Sequence, residues 1–220
     1  MSWEPFDEGW RRAPENGRAA RSLVVLLHGV GSNAQDLMPL VDAWRDALPG
    51  VAFASLDGSE PFDGGFGGRQ WFSLRDVDEM NREARVAAAL PALERMLDAE
   101  LAHWGLDHGA LALVGFSQGS IMSLYRAATR PERLAAVVAY AGRLAAQVSA
   151  RNGTPLTLVH GVDDGVIPVA ELDRAEAAFR AAGFAVDAYR LPGVEHTISQ
   201  QGAVLGGRAL ARAFAGRSQA

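Results

Sequence analysis

Apolar residues along the chain fall into two alternating kinds of stretch. Ser22–His28, Val51–Leu56, Leu111–Val114, Leu134–Ala141, Leu156–His160 and Phe184–Leu191 are short, nearly continuous apolar runs. Runs of strand length without polar alternation fit strands covered on both faces, as in a parallel sheet. Between them apolar residues recur every three or four positions. Leu37, Leu40, Val41, Trp44 and Leu48 mark a helix over Ala34–Leu48, with Asn33 in the cap position and Pro49-Gly50 stopping it. Val77–Trp104 reads as one long helix, or two bent at Pro91. Further helices are expected from Ser120 to about Thr129, over Val169–Ala182 and over Ser199–Phe214. Residues 1–21, with Pro5, Gly9, Pro14, Asn16 and Gly17, form a turn-rich entry with room for an edge strand. Asp57–Asp76 is a long glycine-rich loop carrying Phe62, Phe66, Trp71 and Phe72. Loops of that length in compact domains are commonly functional. Strands alternating with helices imply an α/β fold: a mostly parallel central sheet, helices on both faces, and ligands at the carboxyl ends of the strands.

Composition narrows this picture. The 220 residues, 49% hydrophobic and 21% charged, fit one domain spanning 1–220, without repeat, linker or internal boundary. The absence of cysteine excludes disulfides, thiolate metal sites and a cysteine nucleophile. A net charge of −5 offers no basic footprint for nucleic acid. No apolar run approaches a membrane span, and the opening MSWEPFDEGWRR lacks a signal peptide's apolar core. The expectation is a cytoplasmic protein without stable membrane insertion, monomeric or homodimeric.

The chemistry centres on Leu111–Ser123, LALVGFSQGSIMS. A strand-type run leads into Gly115-Phe116-Ser117-Gln118-Gly119, and a helical pattern follows. This is a G-x-S-x-G nucleophile elbow in its strand–turn–helix context. The glycines permit close chain approach, the turn strains the serine backbone, and the helix N-terminus points at the reacting oxygen.

A serine hydroxyl needs a base, and the base needs an acid to orient it. Behind a nucleophile elbow the order along the chain is serine, acid, histidine. Of five histidines only His160 and His196 follow Ser117. His160 ends a strand and precedes the best acids, which is out of order. His196 lies in Leu191–Thr197, after the last strand and before the final helix. His28, His103 and His108 precede the serine. The acid belongs in Gly161-Val162-Asp163-Asp164-Gly165, where either aspartate could hold the imidazole and the other would cap the turn. Glu132, Glu171, Asp173, Glu176 and Asp187 read as solvated charges, and Glu195 as a weaker alternative. A tetrahedral intermediate needs donors for its oxyanion: the amide of Gln118, and that of Val30 in His28-Gly29-Val30-Gly31. As a phosphate loop, HGVGSN lacks both the Lys-Ser/Thr ending and G-x-G-x-x-G.

LLHGVGSN, QWFSL, GFSQGSIMSLY, HGVDDGVIP and PGVEHTISQQ occur in that order over nearly the whole chain. Together they resemble the phospholipase/carboxylesterase family of small serine α/β-hydrolases, which includes bacterial carboxylesterases and acyl-protein thioesterases. The resemblance implies the α/β-hydrolase fold and puts the acid three residues past His-Gly, on Asp164. It places Ser117 and His196 at the other triad positions and Trp71-Phe72 beside the acyl pocket. Ser120 departs from the glycine common after the elbow, and Val162-Asp163 departs from the acidic residue common after His-Gly.

The resulting expectation is a serine carboxylesterase acting on small-molecule esters of short to medium acyl chain, with no metal or cofactor. Ser117, Asp164 and His196 form its triad and the Val30 and Gln118 amides its oxyanion hole. Alternatives are a lysophospholipase, an acyl-protein thioesterase, an amidase, or a catalytically silent binding protein on the same fold. The stretch between Leu134–Ala141 and Leu156 holds a short helix at most, so no cap domain is expected. Phe66, Trp71 and Phe72 are expected to wall the acyl site, the rival reading being that they pack as a satellite core.

Overall fold

The computed structural model describes residues 2–215. Among these residues ten strands and five α-helices follow the alternation in the sequence. The chain enters through a hairpin, β1 (Glu4–Phe6) and β2 (Gly9–Arg12), and continues through β3 (Ser22–Leu27), α1 (Met38–Trp44) and β4 (Val51–Leu56). A small ribbon, β5 (Glu60–Pro61) and β6 (Arg69–Gln70), precedes α2 (Arg82–Trp104), β7 (Leu111–Phe116) and α3 (Gln118–Thr129). β8 (Ala136–Tyr140), β9 (Leu156–Gly161), α4 (Ala170–Ala181), β10 (Val186–Leu191) and α5 (Gln200–Phe214) complete it.

The main sheet has eight strands in the order β1-β2-β4-β3-β7-β8-β9-β10. From β4 to β10 all pairings are parallel, and the β1–β2 hairpin joins the β4 edge antiparallel. Alternation of side chains across β3 explains its unbroken apolar run. Leu23, Val25 and Leu27 face one core with residues of α2, α3 and α4, while Val24 and Leu26 face another with α1 and α5. All five are fully buried, each worth about 1.5–3 kcal/mol in transfer free energy.

Three expectations shift. The helix over Ala34–Leu48 is a 3₁₀ turn (Ala34–Leu37), α1, and a second 3₁₀ turn (Arg45–Ala47). Asn33 caps the first turn by accepting from Gln35 N, and Pro39 sits in the opening turn of α1, where its missing N–H costs nothing. α2 begins at Arg82 rather than Val77, because Asp78 Oδ1 accepts from Met80 N and Asn81 N and holds a turn instead. It then runs through Pro91 as one helix. The entry segment supplies two strands where one was expected, and the 57–76 loop contains the β5–β6 ribbon. Between β8 and β9 residues 142–155 carry no helix or strand, so nothing caps the carboxyl end of the sheet there. No described helix is long and apolar enough to cross a membrane.

Candidate active site

Ser117 leaves β7 with φ 52° and ψ −112°, a conformation strained for a residue with a side chain. Tight packing holds it there. A Cβ on Gly119 would collide with the Leu27 carbonyl oxygen, and one on Gly115 with the Gly119 carbonyl oxygen. The turn is therefore driven against the end of β3. Ser117 N donates to Tyr140 O at 3.0 Å, and Ser120 Oγ lies 2.7 Å from the same oxygen and 2.6 Å from Gly115 O. Ser120, a departure from the family pattern, thus ties the elbow to β8.

The structure brings the three expected residues into one chain of hydrogen bonds. His196 Nε2 lies 3.0 Å from Ser117 Oγ, and His196 Nδ1 lies 2.7 Å from Asp164 Oδ2. With a carboxylate on Nδ1, that nitrogen carries the proton and Nε2 is left free to accept one. The ring is further held by Phe116, 5.1 Å away between centroids. Asp163 and Asp164 separate cleanly: the first is exposed, the second buried with its carboxylate turned inward. Asp164 Oδ1 accepts from Val166 N and Ile167 N, both at 2.9 Å. Burial alone would raise its pKa, but the hydrogen bonds from His196 and from the Ile167 and Val166 amides outweigh it and hold the carboxyl below its ordinary range. Gly161 permits the loop carrying His196 to close down, since a Cβ there would meet the Val194 and Glu195 carbonyl oxygens.

His160, excluded as a base by chain order, belongs to the site in another way. Its Nε2 lies 2.8 Å from Ile167 O and 3.2 Å from Asp164 Oδ2. Both neighbours are acceptors, so Nε2 carries a proton and braces the carboxylate. Order along the chain could not reveal this; the i,i+4 spacing of His160 and Asp164 was the available signal.

Gln118 opens α3, so its N–H lacks an intrahelical acceptor. Among the described residues no acceptor meets the Val30 N–H. The loop bearing Val30 is fixed by Gly31 N donating to Arg69 O and Arg69 N to Ser32 O. His28 supports it from below: Gly58 N donates to Nε2 at 2.9 Å, so Nδ1 bears the proton and donates to Gly29 O at 2.6 Å. Burial dominates its pKa and pushes it below the ordinary imidazole value, so the ring stays neutral.

The three aromatics expected to wall the acyl site are placed in two different ways. Trp71 and Phe72 are 1% and 3% exposed and belong to the main core. The Trp71 indole N–H donates to His28 O at 3.0 Å, and the Gln118 side chain clamps the segment by accepting from Trp71 N and donating to Phe72 O. A buried indole takes a partner for its N–H wherever the fold offers one, and here that is the His28 carbonyl at the start of the loop bearing Val30. Phe66 stands fully exposed at φ 62° within Gly64-Gly65-Phe66-Gly67-Gly68 and packs against nothing. No group of three or more His, Asp or Glu among the described residues is arranged to hold a metal ion.

Comparison with known proteins agrees with this geometry. The chain is 35% identical over 167 residues to esterase YpfH of Escherichia coli K12, covering 76% of this chain and 72% of that protein. It is 25% identical over 168 residues to acyl-protein thioesterase 1 of Schizosaccharomyces pombe, covering 68% and 71%. The crystal structure of esterase PE8 superimposes with a TM-score of 0.87 at 33% identity, over 93% of this chain and 98% of that one. The Bacillus cereus carboxylesterase shares the fold at a TM-score of 0.79 and 17% identity, over 93% of each chain. The model of one family, described as phospholipase/carboxylesterase, matches residues 13–203, and with the elbow, the two loops and the fold in place the chain belongs to that family of α/β-hydrolases.

Proposed function

We propose that the protein is a carboxylesterase that cleaves short- to medium-chain carboxylic esters through an acyl-enzyme on Ser117. The observation that carries this reading is the unbroken Ser117–His196–Asp164 chain at 3.0 and 2.7 Å. His196 Nε2 takes the hydroxyl proton as Ser117 Oγ attacks the ester carbonyl. The Val30 and Gln118 amides stabilise the oxyanion, at a strained turn already set for the purpose. The tetrahedral intermediate collapses with the alcohol taking the proton from His196. Water then repeats the sequence on the acyl-enzyme and releases the acid. Asp164 keeps the imidazole in the productive tautomer. A thioester would follow the same path, and the family relationship to acyl-protein thioesterases makes it the second substrate class to try. The uncapped 142–155 connection supports an open site acting on small esters without interfacial activation. The same reading keeps the protein in the cytoplasm, as a monomer or homodimer.

A fluorophosphonate probe tests the nucleophile. The wild type labels, and Ser117→Ala neither labels nor hydrolyses esters, losing several orders of magnitude in kcat. Labelling that survives Ser117→Ala overturns the assignment. p-Nitrophenyl esters from acetate to palmitate test the acyl range, with an optimum at or below the medium-chain members. An optimum at palmitate, or a jump in rate at an added lipid interface, refutes an open site.

A further inference from the structure

We propose that the groove between α1 and the loop carrying His196 is the subsite for the alcohol arm of the ester. It would select esters of apolar alcohols that are neutral or cationic at their far end. This rests on the reading of the chain as a serine esterase and adds the half of the substrate that the acyl series leaves open.

In acylation a bond forms between Ser117 Oγ and the carbonyl carbon while the serine proton passes to His196 Nε2. The carbon–alkoxy bond then breaks. The leaving oxygen keeps the bonding electron pair and takes that proton, so the product is the free alcohol. The leaving oxygen must therefore come within hydrogen-bond reach of His196 Nε2, about 2.6–3.2 Å. The carbonyl oxygen points the other way, toward the Val30 and Gln118 amides. The alcohol consequently departs past the imidazole. A groove of about 210 Å³ opens there. Its wall begins with Phe116, whose ring packs on His196 at 5.1 Å, and continues with Ile198, two residues beyond that histidine. Leu37 and Leu40 close it from α1 and the turn before it. The volume holds roughly seven water molecules, hence an alcohol of about that many heavy atoms. The hydrocarbon side chains of Leu37, Leu40, Phe116 and Ile198 give an alkyl or aryl group its contacts, and Asp36 and Thr197 are the polar side chains of the lining. The Asp36 carboxylate stands exposed at its lining and is the charged side chain there. It favours a cationic over an anionic terminus, with the modest strength of a solvated charge.

The test holds the acyl group fixed as butyrate and varies the alcohol: methyl, hexyl, octyl, benzyl, choline and glycolate esters. For the wild type kcat/KM for the hexyl and benzyl esters exceeds that for the methyl ester by about tenfold, what burial of two methylenes is worth. Leu40→Trp fills the groove and lowers the benzyl-to-methyl ratio by about the same factor. Leu40→Ala, milder for folding at a half-buried position, moves the optimum from hexyl toward octyl. Asp36→Asn lowers the choline-to-glycolate ratio by about threefold, more at low salt. In both Leu40 variants the acetate-to-hexanoate ratio of methyl esters stays within twofold. The proposal is overturned if folded Leu40 variants leave the alcohol ratios unchanged, or if the acyl ratio moves instead, which would assign the groove to the acyl arm. An unmoved charge preference in Asp36→Asn overturns the selection by charge. Fluorophosphonate labelling of Ser117 separates these failures from failure of the esterase reading, because only the latter abolishes labelling.

Discussion

Gln118→Leu is expected to damage stability and activity together, because one side chain holds two segments that the proposed chemistry needs in register. Gln118 is 2% exposed and uses both ends of its amide. Oε1 accepts from Trp71 N at 2.8 Å and Nε2 donates to Phe72 O at 2.7 Å. Leucine of similar volume leaves both buried backbone groups unpaired, at about 1–3 kcal/mol each. The loss is therefore about 2–6 kcal/mol, which for a chain of this size lowers Tm by roughly 4–24 °C. The clamped Trp71 in turn donates its indole N–H to His28 O, beside the loop that presents Val30. Loosening it displaces the Val30 amide, the proposed oxyanion donor, without removing it. The expected fall in kcat/KM is about 10- to 100-fold, below the 10²–10³ that deletion of a donor costs.

Gln118→Glu sharpens the test. A carboxylate keeps the acceptor for Trp71 N but opposes an anion to Phe72 O, whereas the protonated acid restores the donor. The folded state would then raise the carboxyl pKa. Stability equal to that of the glutamine is present below the ordinary glutamate range and is lost as pH rises through the raised value. Thermal melts of wild type and both variants at pH 5 and 8, with kcat/KM on p-nitrophenyl butyrate, check the whole argument. A leucine variant melting within about 2 °C of wild type, or a glutamate variant whose deficit does not grow with pH, refutes it.

Three further outcomes are expected. Asp164→Asn lowers kcat on the order of 10⁴ through the wrong imidazole tautomer, while Asp163→Asn, exposed, changes it by less than about threefold; steady-state kinetics on both variants decides the register. His28, with a pKa pushed down by burial, leaves the unfolded chain binding more protons below the ordinary imidazole value of about 6.5. Stability is thus full above that pH and falls on acidification, and Tm measured from pH 7 to 5 should decline less steeply in His28→Gln. Ser120→Ala removes a hydroxyl lying 2.6 and 2.7 Å from two carbonyl oxygens, so Tm drops by a few degrees, about 1 kcal/mol, with kcat/KM within about threefold of wild type.

Much of the fold is written locally. The run Leu23–Leu27 can be buried at every position only if both faces of its strand are covered, and that implies the layers before any coordinates. The elbow motif is equally legible, since Gly115, Ser117 and Gly119 fall within five residues, although what demands a glycine at 119 is the Leu27 carbonyl oxygen of β3. What escaped was long-range. The partner of the Trp71 indole lies 43 residues away, and the partners of the Gln118 amide 46 and 47 away. Sequence alone therefore leaves open whether the aromatics of the glycine-rich loop wall a site or pack on the core, and two of them, Trp71 and Phe72, are buried in it. Helix ends were misplaced where a short-range competitor wins, as at Asp78, whose carboxylate bonds two following amides and delays α2.

The choice between Asp163 and Asp164 shows where sequence stops and geometry begins. Two identical side chains in adjacent loop positions have the same chemistry, and only the direction of each Cα–Cβ bond distinguishes them. Asp164 points inward and its two oxygens meet four donors: the Val166 and Ile167 amides on Oδ1, and His196 Nδ1 and His160 Nε2 on Oδ2. Burial would raise its pKa, but hydrogen bonds from His196 and from the Ile167 and Val166 amides favour the charged form and hold it low. In the proposed mechanism Asp164 orients His196 and balances the imidazolium charge without taking the proton itself. Asparagine in its place would turn an NH₂ toward groups that are already donors, so the substitution changes the sign of a contact rather than merely weakening it.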